Sequence, residues 1–302
     1  MKWGKLSADV AGVRVRPRAN VMDESPGPPN DPERVTFARL VRDSALELLL
    51  TFLMLFAVTS IVRWVIGPSP ISRMIPQIHA ELLIVGATVA ILIAGLILSP
   101  PGRTTGGHMN PAISLAMWRF GVFPGVSVVP YIAAQLLGSV LGVVVARAVW
   151  GPVVAEPRVA YAVLQPGPGW SSMSLFVAET FSMAVIVLLV GVCLAEPRLA
   201  PFVPWIVGGM IGLAIAMLGT STGGSVNPAR QFGPAALSGQ TRFLWVYLLA
   251  PMVGAMLATW VRGTVKRHRS VLTHRLCGTH RDGSSLSSRK TDTLRFYNGT
   301  DG

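Results

Sequence analysis

The chain has 302 residues, 51% of them hydrophobic and 13% charged, with a formal net charge of +12 at pH 7. A soluble globular domain carries about 25% charged residues, so the composition excludes a pair of ordinary soluble domains and points to a polytopic membrane protein. The basic excess does not mark a nucleic-acid protein: 17 of the 26 Lys and Arg lie in residues 1–43 and 262–302, where they read as solvated tails beside a membrane.

Residues 1–43 are polar and proline-rich, with no apolar core of a cleavable signal peptide, and are expected to be a disordered tail. Apolar runs long enough to cross a bilayer follow near 44–66, 80–98, 125–146, 173–195, 199–219 and 243–261. Lipid requires every backbone group to be paired internally, so each run is expected to be a helix and the fold all-α. The intervening loops carry turn formers: GPSP at 67–70, SPPGR at 99–103, QPGPG at 165–169 and AEPRLAP at 195–201. Residues 263–302 form a second basic tail, again expected to be disordered. Of the two cysteines, Cys193 lies in a span and Cys277 in this tail, which gives no disulfide framework. The tail pattern His274-x-x-Cys277-x-x-His280 lacks a fourth ligand, so no metal or other cofactor is expected.

Six spans put both termini on one side. With the tails inside, that side holds 20 of the Lys and Arg, including Arg103, Arg119 and Arg198, and the other side six. The positive-inside rule then places both tails in the cytoplasm, and the plasma membrane is the expected location.

Two apolar segments, 108–118 and 226–237, are too short to span and each follows TGG. Re-entrant half-helices fit them, because irregular backbone at membrane depth is tolerated only beside protein or a water-filled cavity. TGGHMNPA (105–112) and TGGSVNPA (222–229) agree at six of eight positions. Tyr131, Ala134, Gly138 and Leu141 recur at the same spacing as Tyr247, Ala250, Gly254 and Leu257, and Glu47 and Glu179 open the first and fourth spans. The chain therefore reads as two copies of three spans, 44–150 and 173–262. Three is odd, so the second copy is inverted, and inverted repeats place a site at their interface near the midplane.

Asparagine is a favoured N-cap and proline a favoured first helical residue. Asn110-Pro111-Ala112 and Asn227-Pro228-Ala229 should each start a half-helix, and inversion brings the two N-termini face to face. Each carries about half a positive charge, so their meeting point repels cations and protons. The asparagine amides are expected to remain as donors facing the gap. Gly138-x-x-x-Gly142 and Gly208-x-x-x-Gly212 should allow close helix crossing.

With these motifs the chain resembles the major intrinsic protein family, the aquaporins and glycerol facilitators. The matching stretches are GGHMNPA, GGSVNPARQFGPA, Glu47-x-x-x-Thr51-Phe52 and YIAAQLLGSVLG, within about 44–262. The resemblance implies six tilted helices plus two half-helices, a pore in each subunit, and a homotetramer. It also implies that Arg230, three residues after Asn227, lines the outer constriction, while Ile113 stands at the matching position of the first copy. Glu47 and Glu179 are then expected to hold backbone N–H groups of the re-entrant loops rather than to relay protons. His108 either faces the inner vestibule or packs the loop.

The family's four-residue selectivity ring maps to Arg230, Gly224, Ile215 and, on the second span, Val85 in preference to Ala90. Strict water channels have a large aromatic and a histidine at the span positions. Two aliphatic residues and a glycine imply a wider, less polar ring. Gln231 and Ala235, where glycerol facilitators place an aspartate and a basic residue, lean instead towards water. The expected function is a passive channel for water and small uncharged solutes such as glycerol, and not an enzyme. A proton- or ion-coupled transporter and a non-conducting membrane organiser are the alternatives.

Overall fold

The computed structural model describes residues 35–75, 77–265, 269–280, 284 and 286. Every regular element among them is helical. In the first repeat, α1 (Phe37–Val65) is followed by a single turn, α2 (Pro70–Met74), then α3 (Ile78–Leu98), a short α4 (Pro100–Thr105), the half-helix α5 (Pro111–Arg119) and α6 (Gly125–Trp150). The second repeat comprises α7 (Ser172–Leu194), α8 (Val203–Leu218), the half-helix α9 (Pro228–Ser238) and α10 (Leu244–Thr264). Six helices are long and apolar enough to cross a membrane: α1, α3, α6, α7, α8 and α10, with α6 and α8 each extended by an adjoining 3-10 turn.

The packing repeats with the sequence. α1 lies on α6 as α7 lies on α10, and α9 packs on α6 as α5 packs on α10. The second spans of the two copies, α3 and α8, pack on each other. Small residues let these backbones meet. A Cβ on Gly138 would lie 2.4 Å from the Leu48 carbonyl oxygen, and one on Gly254 would lie 2.3 Å from that of Thr180. At the α3–α8 crossing a Cβ on Gly86 would meet the Gly212 carbonyl at 2.4 Å, and one on Gly212 would meet the Gly86 carbonyl at 2.5 Å. That reciprocity puts the pseudo-two-fold between these two glycines.

Three boundaries differ from the sequence reading. α1 begins inside the expected N-terminal tail, capped by the Thr36 hydroxyl, and its first charges are locally paired through Asp43 to Arg39 and Arg42. SPPGR is a capped helical turn, with the Ser99 hydroxyl accepting from Gly102 N–H. The disorder expected across 263–302 does not hold for 269–280. Val271, Leu276 and Cys277 are buried in the main apolar core, and backbone hydrogen bonds tie the segment to Gly106 and Leu194. It packs at one end of the molecule, the tail face. The start of α1 lies there too, with Arg39 close enough to His274 to affect it electrostatically.

Candidate functional site

Each half-helix starts where its sequence says it should. Asn110 and Asn227 are the N-caps, extended in backbone, with side-chain oxygens accepting from Ala112 N–H (2.9 Å) and Ala229 N–H (2.9 Å). Proline follows at the first helical position in both. The caps converge. Asn110 Nδ2 donates to the Val226 carbonyl at 3.0 Å, and Asn227 Nδ2 donates to the Met109 carbonyl at 2.9 Å. This refines the expectation for the amides. Each has two N–H groups, and one of them braces the opposite loop. Met109 and Val226 adopt φ of 47° and 44°, a left-handed conformation costly for any side chain and most so for a β-branched one. It turns their carbonyls across the gap.

The two glutamates hold these loops in matching ways. Glu47 accepts from His108 N–H (3.0 Å), Met109 N–H (2.8 Å), the Thr105 hydroxyl (2.7 Å) and Gln135 Nε2 (2.9 Å). Glu179 accepts from Ser225 N–H (3.1 Å) and Val226 N–H (2.7 Å). Tyr131 donates its hydroxyl to the Thr105 carbonyl and Tyr247 donates to that of Thr222. Sequence reading used both tyrosines only as repeat markers and passed over Thr105, Thr222 and Gln135. The recurrence of Tyr and of the threonine in TGG was the available signal for four of those five. The second copy has Pro251 where Gln135 stands, so Gln135 carried none.

Below the caps a cavity runs towards the tail face. Its wall includes Met54, Ile93, Ile97, Ile186, Val207 and Ile211, with both asparagines at the other end. His108 both lines it and packs: Nδ1 meets Ser114 Oγ at 3.1 Å, Nε2 meets the His274 carbonyl at 3.1 Å, and the ring stands edge-on to Phe123. Among the described residues no three His, Cys, Asp or Glu side chains form a metal-sized group, and Cys277 Sγ sits against Thr279 Oγ1.

The four residues expected to form the ring lie off this cavity wall, on the side of the caps away from the tail face. Val85 is buried and shares the i, i+4 stripe of Val89, Ile93 and Ile97 on α3, whereas Ala90 faces Gly212 in the helix crossing. Ile215 continues the stripe of Val207 and Ile211 on α8. Gly224, at φ 64°, packs so closely that a Cβ would lie 2.5 Å from the Ala214 carbonyl and 3.1 Å from Ile215 N. Gly224 and Ile215 are thus brought together. The Arg230 guanidinium donates through Nη1 to the Ala162 carbonyl at 2.6 Å. Ala160, Tyr161 and Ala162 all have positive φ, and Gln231 clamps the same loop by bonding both backbone groups of Leu164. Arg158 reaches from this loop to the buried Glu81 on α3. The loop and its clamp were not legible in the sequence.

Comparison with known proteins agrees with this architecture. Residues 34–262 match the family described as Major intrinsic protein. The chain is 36% identical over 185 residues to "Probable aquaporin AqpM" of Archaeoglobus fulgidus, covering 59% of this chain and 74% of the relative. It is 32% identical over 259 residues to aquaporin NIP2-1 of Oryza sativa subsp. japonica, covering 85% and 78%. Its fold matches the aquaglyceroporin of Plasmodium falciparum with a TM-score of 0.60 at 22% identity, covering 75% of this chain and 96% of that one. Six membrane-crossing helices, an inverted repeat and two asparagine-capped half-helices that meet thus coincide with a family match over most of the chain, which belongs to the major intrinsic protein family.

Proposed function

We propose that the chain is a passive channel for water and small uncharged solutes such as glycerol, and that it excludes ions and protons. One observation carries the reading: two positively polarised helix ends converge on a single cavity, with the remaining amide N–H of each asparagine available to a passing oxygen. A neutral molecule can accept hydrogen bonds there, while a cation meets two like-signed dipoles in a wall of aliphatic side chains. Coupled transport needs an ionisable group free to change state. The two carboxylates beside the caps are instead occupied by loop N–H groups.

Arg230, Gly224, Ile215 and Val85 form the selectivity ring in this reading, supported by the shared stripes on α3 and α8 and by the Gly224–Ile215 contact. Aliphatic residues at two of four positions favour a ring wide enough for a polyol. Both termini are cytoplasmic in this reading, because with the tails inside that side holds 20 of the Lys and Arg and the other side six, the excess coming from the tails themselves. The functional unit is a homotetramer in the plasma membrane, by family resemblance. Stopped-flow shrinkage of proteoliposomes is the test. Water flux above that of protein-free liposomes with a low activation energy, measurable glycerol flux and no proton current are expected. Saturable uptake driven by a pH gradient would overturn the reading.

A further inference from the structure

Among the described residues, all but one of those walling the cavity between the asparagine caps and the tail face belong to the two repeats. Leu276 stands in that wall beside His108, Ile97 and Gly107, and its side chain is only 1% exposed. It belongs to the segment after α10, beyond the residues 34–262 that match the family. The inverted repeat therefore supplies no counterpart for it.

The segment is seated on three parts of the channel. Leu276 N–H donates to the Gly106 carbonyl at 3.0 Å, next to the re-entrant loop, and the His274 carbonyl receives His108 Nε2 from that same loop. Leu272 N–H donates to the Leu194 carbonyl at the end of α7. Gly278 lies flush on the turn before α8, where a Cβ would fall 2.2 Å from the Ala200 carbonyl. Arg269 pairs with Glu196, and Arg275 donates across its own turn to the His280 carbonyl at 2.7 Å. An apolar side chain is thus aimed into a solute path by a turn with its own internal hydrogen bonds. The turn is joined to α10 by only a few residues, so after release it stays at high effective concentration near its seat.

We propose that residues 269–280 are a built-in stopper for this channel: docked, Leu276 closes the path at the tail face, and undocking of the segment opens it. The inference rests on the channel reading above. Few backbone bonds link the stopper to the pore, and none of them is part of the helical packing. It can therefore leave without disturbing the asparagine caps.

The test compares water flux in proteoliposomes for three chains: the full chain, a chain ending at Val265, and the full-length Leu276→Asp variant. The carboxylate of that variant cannot be buried in this largely aliphatic wall without large cost. Both altered chains should conduct at least about tenfold faster than the full chain, as a shift from mostly docked to mostly released requires. In a Cys193→Ala background, alkylation of Cys277, buried in the docked segment, should speed up together with flux in Leu276→Asp. The full-length variant keeps the comparison open if the shortened chain does not fold. Equal flux in all three chains would overturn the stopper and leave the channel standing. No flux in any of them, with Cys277 freely alkylated in Leu276→Asp, would overturn the channel reading and the stopper with it.

Discussion

Arg230 has one guanidinium nitrogen on the Ala162 carbonyl, which leaves further N–H groups of the fork for a solute. Its charge sits in the first turn of α9, adding to the helix dipole on the side where Ile113 of the first copy is neutral. Arg230→Ala should therefore keep water flux within about twofold and admit protons or small cations, read as a pH-gradient-driven current in proteoliposomes. An unchanged proton barrier in a folded variant would show that the half-helix dipoles suffice alone. Val85 is a question of size rather than charge. It lies on the α3 stripe that includes Ile93 and Ile97 on the cavity wall, so enlarging it should narrow the path itself. Val85→Trp should cut glycerol flux by tenfold or more while reducing water flux several-fold less, since selectivity at a constriction follows diameter. Equal loss of both fluxes would place the ring elsewhere on α3.

At the scale of elements, the half-helices were readable from sequence because their start signals are local: an asparagine, a proline and a preceding glycine pair act over six residues. The tail segment was not readable, because its order comes from contacts made far away in sequence. Its one cue was the run VLTHRLCGTH, which is uncharged but for Arg275 and its histidines between more basic neighbours. The start of α1 was hidden for a related reason, since Arg39, Arg42 and Asp43 read as tail charges until their pairing along one helix is seen. The segment also carries a titratable contact. His274 is buried against Phe123 and His108, with Nδ1 unpartnered among the described residues. Burial first, then the neighbouring His108, Arg275 and Arg39, hold its imidazole well below the usual value of 6.5, with Asp43 of α1 compensating part of that positive field at Arg275. A lowered value means that the docked segment refuses a proton the released segment accepts. The contribution of His274 to docking is therefore fully present above about pH 6.5, and docking weakens below it, by up to tenfold per pH unit, until the docked form also protonates. Water flux through the full chain should rise several-fold between pH 7.5 and 5.5, and His274→Gln should flatten the response. A response that persists in His274→Gln would assign the titration to His108.

For the whole molecule, the inverted repeat was legible because it is written twice. The Gly208-x-x-x-Gly212 spacing marks α8 for a close crossing, but the sequence does not disclose its partner, since Gly86 looks like any other small residue in an apolar run. The reciprocal contact of Gly86 and Gly212 makes the α3–α8 seam a tight joint between the repeats, with each glycine facing a backbone carbonyl that has no rotamer to change. A methyl group at either one must push two helices apart, and overpacking of this kind costs about 1–3 kcal/mol. The same helix supplies its own control, because nothing lies within 4 Å of a Cβ built on Gly95. Gly86→Ala and Gly212→Ala should each lower the thermal unfolding midpoint in detergent by several degrees, while Gly95→Ala leaves it unchanged or slightly raised. The double variant Gly86→Ala/Gly212→Ala should cost less than the sum of the two, because a seam opened by the first methyl already has room for the second. Full additivity would mean that the two glycines do not share one joint, and that the repeats are held together through the asparagine caps instead.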